Sequence, residues 1–305
     1  MKRITFMNRG IEVVGDLHVP EGFDPQKTYA TLVLTTPGSS VKEQIGGIYA
    51  ANMAERGFVA LTFDPSFQGQ SGGEPRGLED PAVRVEDVKC AVDWLMTQPF
   101  VDEARLGLLG LCAGGGYAIG AALTDHRFKA IGTVVANDIG SAFRGFHSEE
   151  ELLEKIAEVG RQRTAEARGA PLRYDPWIPD SLEDARNQGV TDRDTLEAVY
   201  FYRESEYRNA NSNNRLLFTS FSQVLGFEVF SLVPDLLTQP LSVVVGGRRG
   251  STPQYEAGEK LFGLSRSKDK EFLAVEGAGH YEMYWKPEYV GQAVDRLTAF
   301  FRRHL

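Results

Sequence analysis

The chain has only two cysteines, Cys90 and Cys112, among 305 residues. Two thiols give no disulfide framework and no cysteine-built metal site, and neither a metal nor an organic cofactor is expected. Basic charge is not in excess. The net charge of −9 argues against nucleic acid and against an anionic membrane surface as partners, although a local basic pocket for a phosphate-bearing carrier stays open. No apolar run approaches the roughly 20 residues of a membrane span. The stretch Met1–Arg9 lacks an apolar h-region, so no signal peptide is expected and a reducing, cytoplasmic compartment suits a free thiol. Internal repeats and low-complexity linkers are also missing. What remains is an ordinary globular balance, 42% hydrophobic and 25% charged, long enough for one large domain or one domain with an insertion.

Short apolar runs alternate with helical patterns. Ile4–Met7 and Glu12–Val19 read as a hairpin across Asn8-Arg9-Gly10. Strands are predicted at 30–35, 58–63, 105–111, 128–136, 241–245 and 271–275, and helices at 45–56, 82–98, 113–123, 254–262 and 287–303. Asp80-Pro81 has the form of an N-cap followed by proline at the first helical position, and Val85, Val88, Val92 and Leu95 give that helix one apolar stripe. Cys90 on the same helix reads as a half-buried filler. Between about 140 and 238 the alternation breaks into polar helical segments with interleaved aromatics. Ser148 and Glu151 form a capping-box pattern, and Ser181 and Thr191 read as further caps. The expected fold class is α/β: a mostly parallel central sheet flanked by helices (1–139 and 239–305), with a helical cap insertion (140–238). A cap over the strand carboxyl ends would cover the edge where open α/β sheets bind ligands.

Gly110-Leu111-Cys112-Ala113-Gly114 lies between an apolar strand and a small-residue helix. Strand, sharp turn and helix with a reactive side chain at the turn make the nucleophile elbow of an α/β-hydrolase, here with cysteine as nucleophile. At a helix N-terminus its thiol is expected to lose its proton more readily. His280 follows the last strand in Glu276-Gly-Ala-Gly-His280 and is the expected general base. His18, His126, His147 and His304 lack this context. An oxyanion hole is expected from the Ala113 amide and that of Gly38 or Ser39, in the loop Thr36-Pro37-Gly38-Ser39-Ser40. A third member, a carboxylate, should follow strand 241–245, but Gly246-Gly-Arg-Arg-Gly-Ser-Thr252 has none. Asp138, after the preceding strand, is the provisional substitute, and Glu276 is the poorer one. In the loop 64–76 the polar residues read mainly as satisfying the loop backbone, with substrate contact by Asp64 or Arg76 as the alternative. The cap aromatics Phe143, Phe146, Trp177, Tyr200, Phe201, Tyr202, Phe218, Phe221, Phe227 and Phe230 read first as the core of the cap, and because a cap faces the site on one side, an apolar acyl pocket is expected there with Tyr281, Tyr284 and Trp285 after the histidine.

Pro37-Gly-Ser-Ser-Val-Lys-Glu-Gln44, Phe63–Arg76, Gly110-Leu-Cys-Ala-Gly-Gly-Gly-Tyr117 and Thr124–Ala130 together resemble the cysteine-elbow α/β-hydrolases of the dienelactone-hydrolase-like group, and in particular the fungal polyketide transferase family. The resemblance spans nearly the whole chain. It implies the α/β-hydrolase fold, Cys112 as nucleophile, His280 as base, and transfer of an acyl chain from a carrier-bound thioester to an alcohol. Thr36 stands where the family has histidine before Pro-Gly. The expected activity is acyl transfer from a small-molecule ester or thioester, by an esterase, thioesterase or acyltransferase, with a homodimer as the assembly the reading admits. The alternative is a non-catalytic ligand-binding protein on the same scaffold, which the missing acid motivates.

Overall fold

A computed structural model describes all 305 residues. The chain opens with the hairpin β1 (Lys2–Asn8) and β2 (Ile11–His18). The core continues through β3 (Tyr29–Thr35), α1 (Ile45–Glu55), β4 (Val59–Phe63), α2 (Pro81–Leu95), β5 (Val101–Leu111), α3 (Ala113–Ala122) and β6 (Ala130–Val134). An inserted segment follows, with α4 (Ile139–Gly145), α5 (Glu149–Ala167), β7 (Tyr174–Asp175), α6 (Leu182–Asn187), α7 (Arg193–Val199), β8 (Leu216–Leu217), α8 (Phe221–Leu225) and α9 (Val233–Leu236). The core then resumes with β9 (Leu241–Gly246), α10 (Gln254–Leu264), β10 (Lys270–Val275), α11 (Glu282–Trp285) and α12 (Pro287–His304).

Eight strands form one sheet in the order β1-β2-β4-β3-β5-β6-β9-β10. β1 and β2 pair antiparallel, as do β2 and β4, and every later pairing is parallel. β4, β6 and β9 are buried along their whole length, as their unbroken apolar runs require between two helical layers. Edge strand β1 instead alternates exposed and buried residues. Val88, Val92, Ile119 and Leu261 of α2, α3 and α10 cover one face, and Ile45, Tyr49, Leu297 and Phe301 of α1 and α12 cover the other. No helix is long and apolar enough to cross a membrane.

The capping chemistry is largely where the sequence places it. Asp80 accepts from the Ala82 and Val83 amides ahead of α2, and Ser148 and Glu151 close a capping box on α5. Ser181 caps α6. Thr191 does not cap α7. Asp192 does so, because its carboxylate takes both the amide (2.8 Å) and the hydroxyl (2.7 Å) of Thr195. Cys90 is half-buried. Because β3, β5, β6, β9 and β10 run parallel, the loops after them meet at one edge of the sheet, and the inserted segment lies over that edge.

Candidate active site

Cys112 sits between β5 and α3 with φ 55° and ψ −124°, a left-handed backbone that a non-glycine residue adopts only under constraint. The constraint is visible. The Cys112 amide donates to Val134 O (3.0 Å), and its carbonyl accepts from the amides of Gly115 (2.8 Å) and Asn137 (3.0 Å). The flanking glycines make the turn sterically feasible. A Cβ on Gly110 would lie 2.5 Å from Gly115 Cα, and one on Gly114 would lie 2.6 Å from Thr35 C and 2.8 Å from Thr36 O. The elbow is thereby pressed against the end of β3, where Thr35 Oγ1 donates to Gly114 O (2.6 Å).

The thiol borders a cavity of about 180 Å³ between the strand ends and the inserted segment. Cys112 keeps some surface there while protein surrounds it on every other side, and burial pushes its thiol up from the ordinary value. Contacts that favour the thiolate, from the Tyr284 hydroxyl, the Ala113 amide and the Asn137 side chain, do not outweigh burial. The sequence-based expectation of a thiol acidified by its helix N-terminus is therefore corrected: in the resting site the group is protonated.

Gly38, Ser39 and Ala113 all line this cavity. The amides of Gly38 and Ser39 donate no hydrogen bond within the chain, so both are free for a developing oxyanion. Their loop is held from three sides. Arg84 of α2 donates to the carbonyls of Thr36 and Pro37, Ser212 Oγ of the inserted segment donates to Ser39 O (2.8 Å), and Trp177 packs on Gly38 so closely that a Cβ there would lie 2.8 Å from its ring. Arg84 is itself fixed over the Tyr117 ring, 4.6 Å from its centroid, and beside Glu79 at 3.6 Å. Arg84 carries no motif in the sequence; only the packing of α2 under the loop reveals it.

His280 is fully buried at the end of the loop after β10. Its Nε2 lies 3.0 Å from the Tyr284 hydroxyl, and its Nδ1 has no partner in the chain. With no charged neighbour, burial pulls its pKa down to about 3, so it is a neutral imidazole at working pH. Tyr281 and Tyr284 line the cavity, and burial holds the Tyr284 phenol far above its usual range, so it stays an O–H donor.

The expected acid is not found at Asp138. Its Oδ1 accepts from the Ser141 amide (2.9 Å) and its Oδ2 from the Val229 amide (2.7 Å), so it caps α4 and ties it to the inserted segment, with no bond to His280. Glu276 is exposed on its loop. In the loop after β9 the key side chain is a cation. Arg248 Nη2 binds Glu197 (2.8 Å) and Glu282 (3.0 Å), and Glu282 accepts from the Gly279 amide (2.9 Å). The Arg248 amide donates to Ala278 O (2.9 Å). The nearby carboxylates are thus engaged in clamping the backbone ahead of the histidine, and none orients its ring.

Asp64 and Arg76 do not line the cavity. Asp64 pairs with the buried Lys42 ammonium at 2.9 Å, and Arg76 binds loop carbonyls. Of the aromatics in the insertion, Phe143, Phe146, Trp177 and Tyr202 line the cavity, whereas Phe218 and Phe221 pack inside the insertion with Val159. Tyr202 and Arg203 enter on a short π-helical turn, Tyr200–Glu204, a distortion frequent at functional sites. Arg203 is the one charged side chain on the wall. Asn137, unpredicted from the sequence, donates to Cys112 Sγ at 3.9 Å while its buried Oδ1 has no partner.

A model of the prolyl oligopeptidase family matches residues 48–168. The chain is 34% identical to an uncharacterised Escherichia coli protein, YcjY, over 99% of both chains. It is 31% identical to Pseudomonas aeruginosa PA2218, over all of this chain and 81% of that relative, and the crystal structure of PA2218 superposes with a TM-score of 0.86, covering 93% of that chain. It is 26% identical to the thiohydrolase aneE of Aspergillus aculeatus, over 86% of this chain and 81% of the relative. The crystal structure of the α/β hydrolase GrgF from Penicillium shares the fold, with a TM-score of 0.79 at 22% identity over 99% of this chain and 98% of that one.

Proposed function

We propose a cysteine-dependent acyl-transfer reaction for this chain, which belongs to the α/β-hydrolase superfamily, in one family with YcjY and PA2218. It is an enzyme of the hydrolase or acyl-transfer type. In the proposed reaction Cys112 attacks the carbonyl carbon of a small-molecule ester or thioester. The negative charge that develops on oxygen is met by the amides of Ala113 and of Gly38 or Ser39, each worth roughly 3 kcal/mol to the transition state. The thiol proton passes to neutral His280, which returns it to the leaving alcohol or thiol. Water or an acceptor alcohol then resolves the acyl-enzyme. The apolar wall of Ile139, Ala142, Phe143, Phe146 and Trp177 suits the acyl part, and a carrier-bound acyl chain is the donor that the thiohydrolase and polyketide-transferase likeness favours. We place the reaction in the cytoplasm, where the unpaired thiol stays reduced.

The observation that carries this reading is the constrained Cys112, which lines one cavity with Gly38 and Ser39, whose amides have no other partner. The test is incubation with a short-chain p-nitrophenyl ester and with an acyl thioester, followed by intact-mass analysis. Wild type should gain one acyl group, and Cys112→Ala none. Product analysis with and without an alcohol acceptor separates hydrolysis from transfer. An adduct that persists in Cys112→Ala, or saturable binding of both compounds with no adduct and no turnover, would overturn the proposal, the second outcome in favour of a ligand-binding role.

A further inference from the structure

The proposed base meets a hydroxyl whose residue shares the cavity with the proposed nucleophile. The Tyr284 Oη is 3.0 Å from His280 Nε2, and Tyr284 lines the same cavity as Cys112. His280 itself is not on the cavity wall, whereas Cys112 and Tyr284 are. We propose that Tyr284 is a catalytic residue that carries the proton between Cys112 and His280, making the site a Cys–Tyr–His relay. The proposal rests on the acyl-transfer reading above.

The local chain explains the placement. His280 and Tyr284 are four residues apart across the turn that opens α11, which puts both rings on one side of it. The Met283 amide donates to Gly279 O (3.3 Å) and the Tyr284 amide to Tyr281 O (3.0 Å), closing that turn. From the core, the buried Tyr49 hydroxyl donates to Met283 O (2.8 Å) and fixes its height. The Tyr284 ring is wedged against Phe201 and Tyr202, with centroids 5.2 Å and 6.3 Å away. A phenol held this firmly loses little freedom in each transfer.

The step balances. As the sulfur–carbon bond forms and the carbonyl π pair moves to oxygen, the S–H proton passes to Tyr284 Oη, and the Tyr284 O–H proton passes to His280 Nε2. On collapse the oxygen lone pair reforms the carbonyl and the bond to the leaving group breaks. His280 returns its proton through Tyr284 to the leaving oxygen or sulfur. Tyr284 ends each half-reaction as a neutral phenol. The relay uses the imidazole tautomer with its proton on Nδ1. It also avoids a standing thiolate–imidazolium pair, which the dry surroundings of both groups disfavour and which no carboxylate supports.

The experiment compares single-turnover acylation by an acyl thioester in wild type, Tyr284→Phe and Cys112→Ala. Tyr284→Phe keeps the ring and should slow acylation by about a hundredfold or more, with KM nearly unchanged. Replacing Tyr284 by 3-fluorotyrosine keeps fold and hydroxyl, and the rate should change with the acidity of the phenol. A proton inventory in mixed H₂O and D₂O should require two protons in flight for wild type. Acylation at the wild-type rate in Tyr284→Phe, together with an acylation-dead Cys112→Ala, would overturn the relay and leave the nucleophile standing. Turnover retained in Cys112→Ala would instead overturn the nucleophile. If Tyr284→Phe fails to fold, a rate insensitive to fluorination and a one-proton inventory overturn the relay equally.

Discussion

His280 should act as a base far below the pH at which an ordinary histidine fails. Burial without a charged partner places its pKa at about 3 instead of 6.5. At pH 5 an ordinary histidine is neutral in about 3% of molecules, whereas one with a pKa near 3 is about 99% neutral. The difference is about thirtyfold in competent enzyme. The protonated resting thiol adds no thiolate requirement, because it gives up its proton during attack. The assay is kcat/KM for a p-nitrophenyl ester from pH 4 to 8, with circular dichroism at each pH to confirm the fold. The expected profile is nearly flat between pH 7 and 5. An acidic limb with its midpoint near 6.5, on a protein still folded, would refute the assignment. The same shift has a stability consequence. Above pH 6.5 the histidine is neutral in both folded and unfolded chains. As pH falls from 6.5 towards 3, the unfolded chain binds a proton that the folded one refuses, at a cost of about 1.4 kcal/mol per pH unit and about 5 kcal/mol in all. Stability present above pH 6.5 is therefore lost on acidification through that window. The buried carboxyls of Asp64, Asp87 and Asp138 are raised and so act with the opposite sign, and the difference between wild type and His280→Gln isolates the histidine.

Gly114→Ala should be disruptive although it adds one methyl. The new Cβ would meet backbone atoms of Thr35 and Thr36, which cannot rotate away. A loss of about 1–3 kcal/mol in chemical denaturation is expected, together with lower kcat from a displaced oxyanion loop. Unchanged stability and activity would mean that the elbow is looser than drawn. Asp138→Asn should leave activity within a few-fold while lowering Tm, because it weakens the cap on α4 and the link to Val229. A fall in kcat of several thousandfold with Tm intact would restore Asp138 as the acid, since that is how an orienting carboxylate responds to the change.

Much of this protein is decided by local sequence. The parallel core follows from apolar runs separated by helical stripes, because a strand covered on both faces has no polar alternation to conceal. The elbow is legible because glycines at 110 and 114 around Cys112 answer a local steric demand, and His280 is legible from the glycine loop after the last strand. Asp138 is ambiguous in the sequence for a related reason. An acidic residue after a strand looks the same whether it orients a histidine or caps the next helix, and only the positions of the Ser141 and Val229 amides, the latter 91 residues away, separate the two. The sign of the Cys112 shift was hidden as well: the helix N-terminus is local, whereas the desolvation that outweighs it comes from residues spread over the whole chain. Arg84 beneath the oxyanion loop, Asn137 beside the sulfur and the Arg248–Glu282 clamp have no spacing signature, since each acts on backbone brought close by folding. Covalent neighbourhood sets the chemistry of the nucleophile and base. Which groups hydrate, charge and orient them is a matter of through-space distance, and that was fixed only when the sheet closed and the insertion folded over its edge.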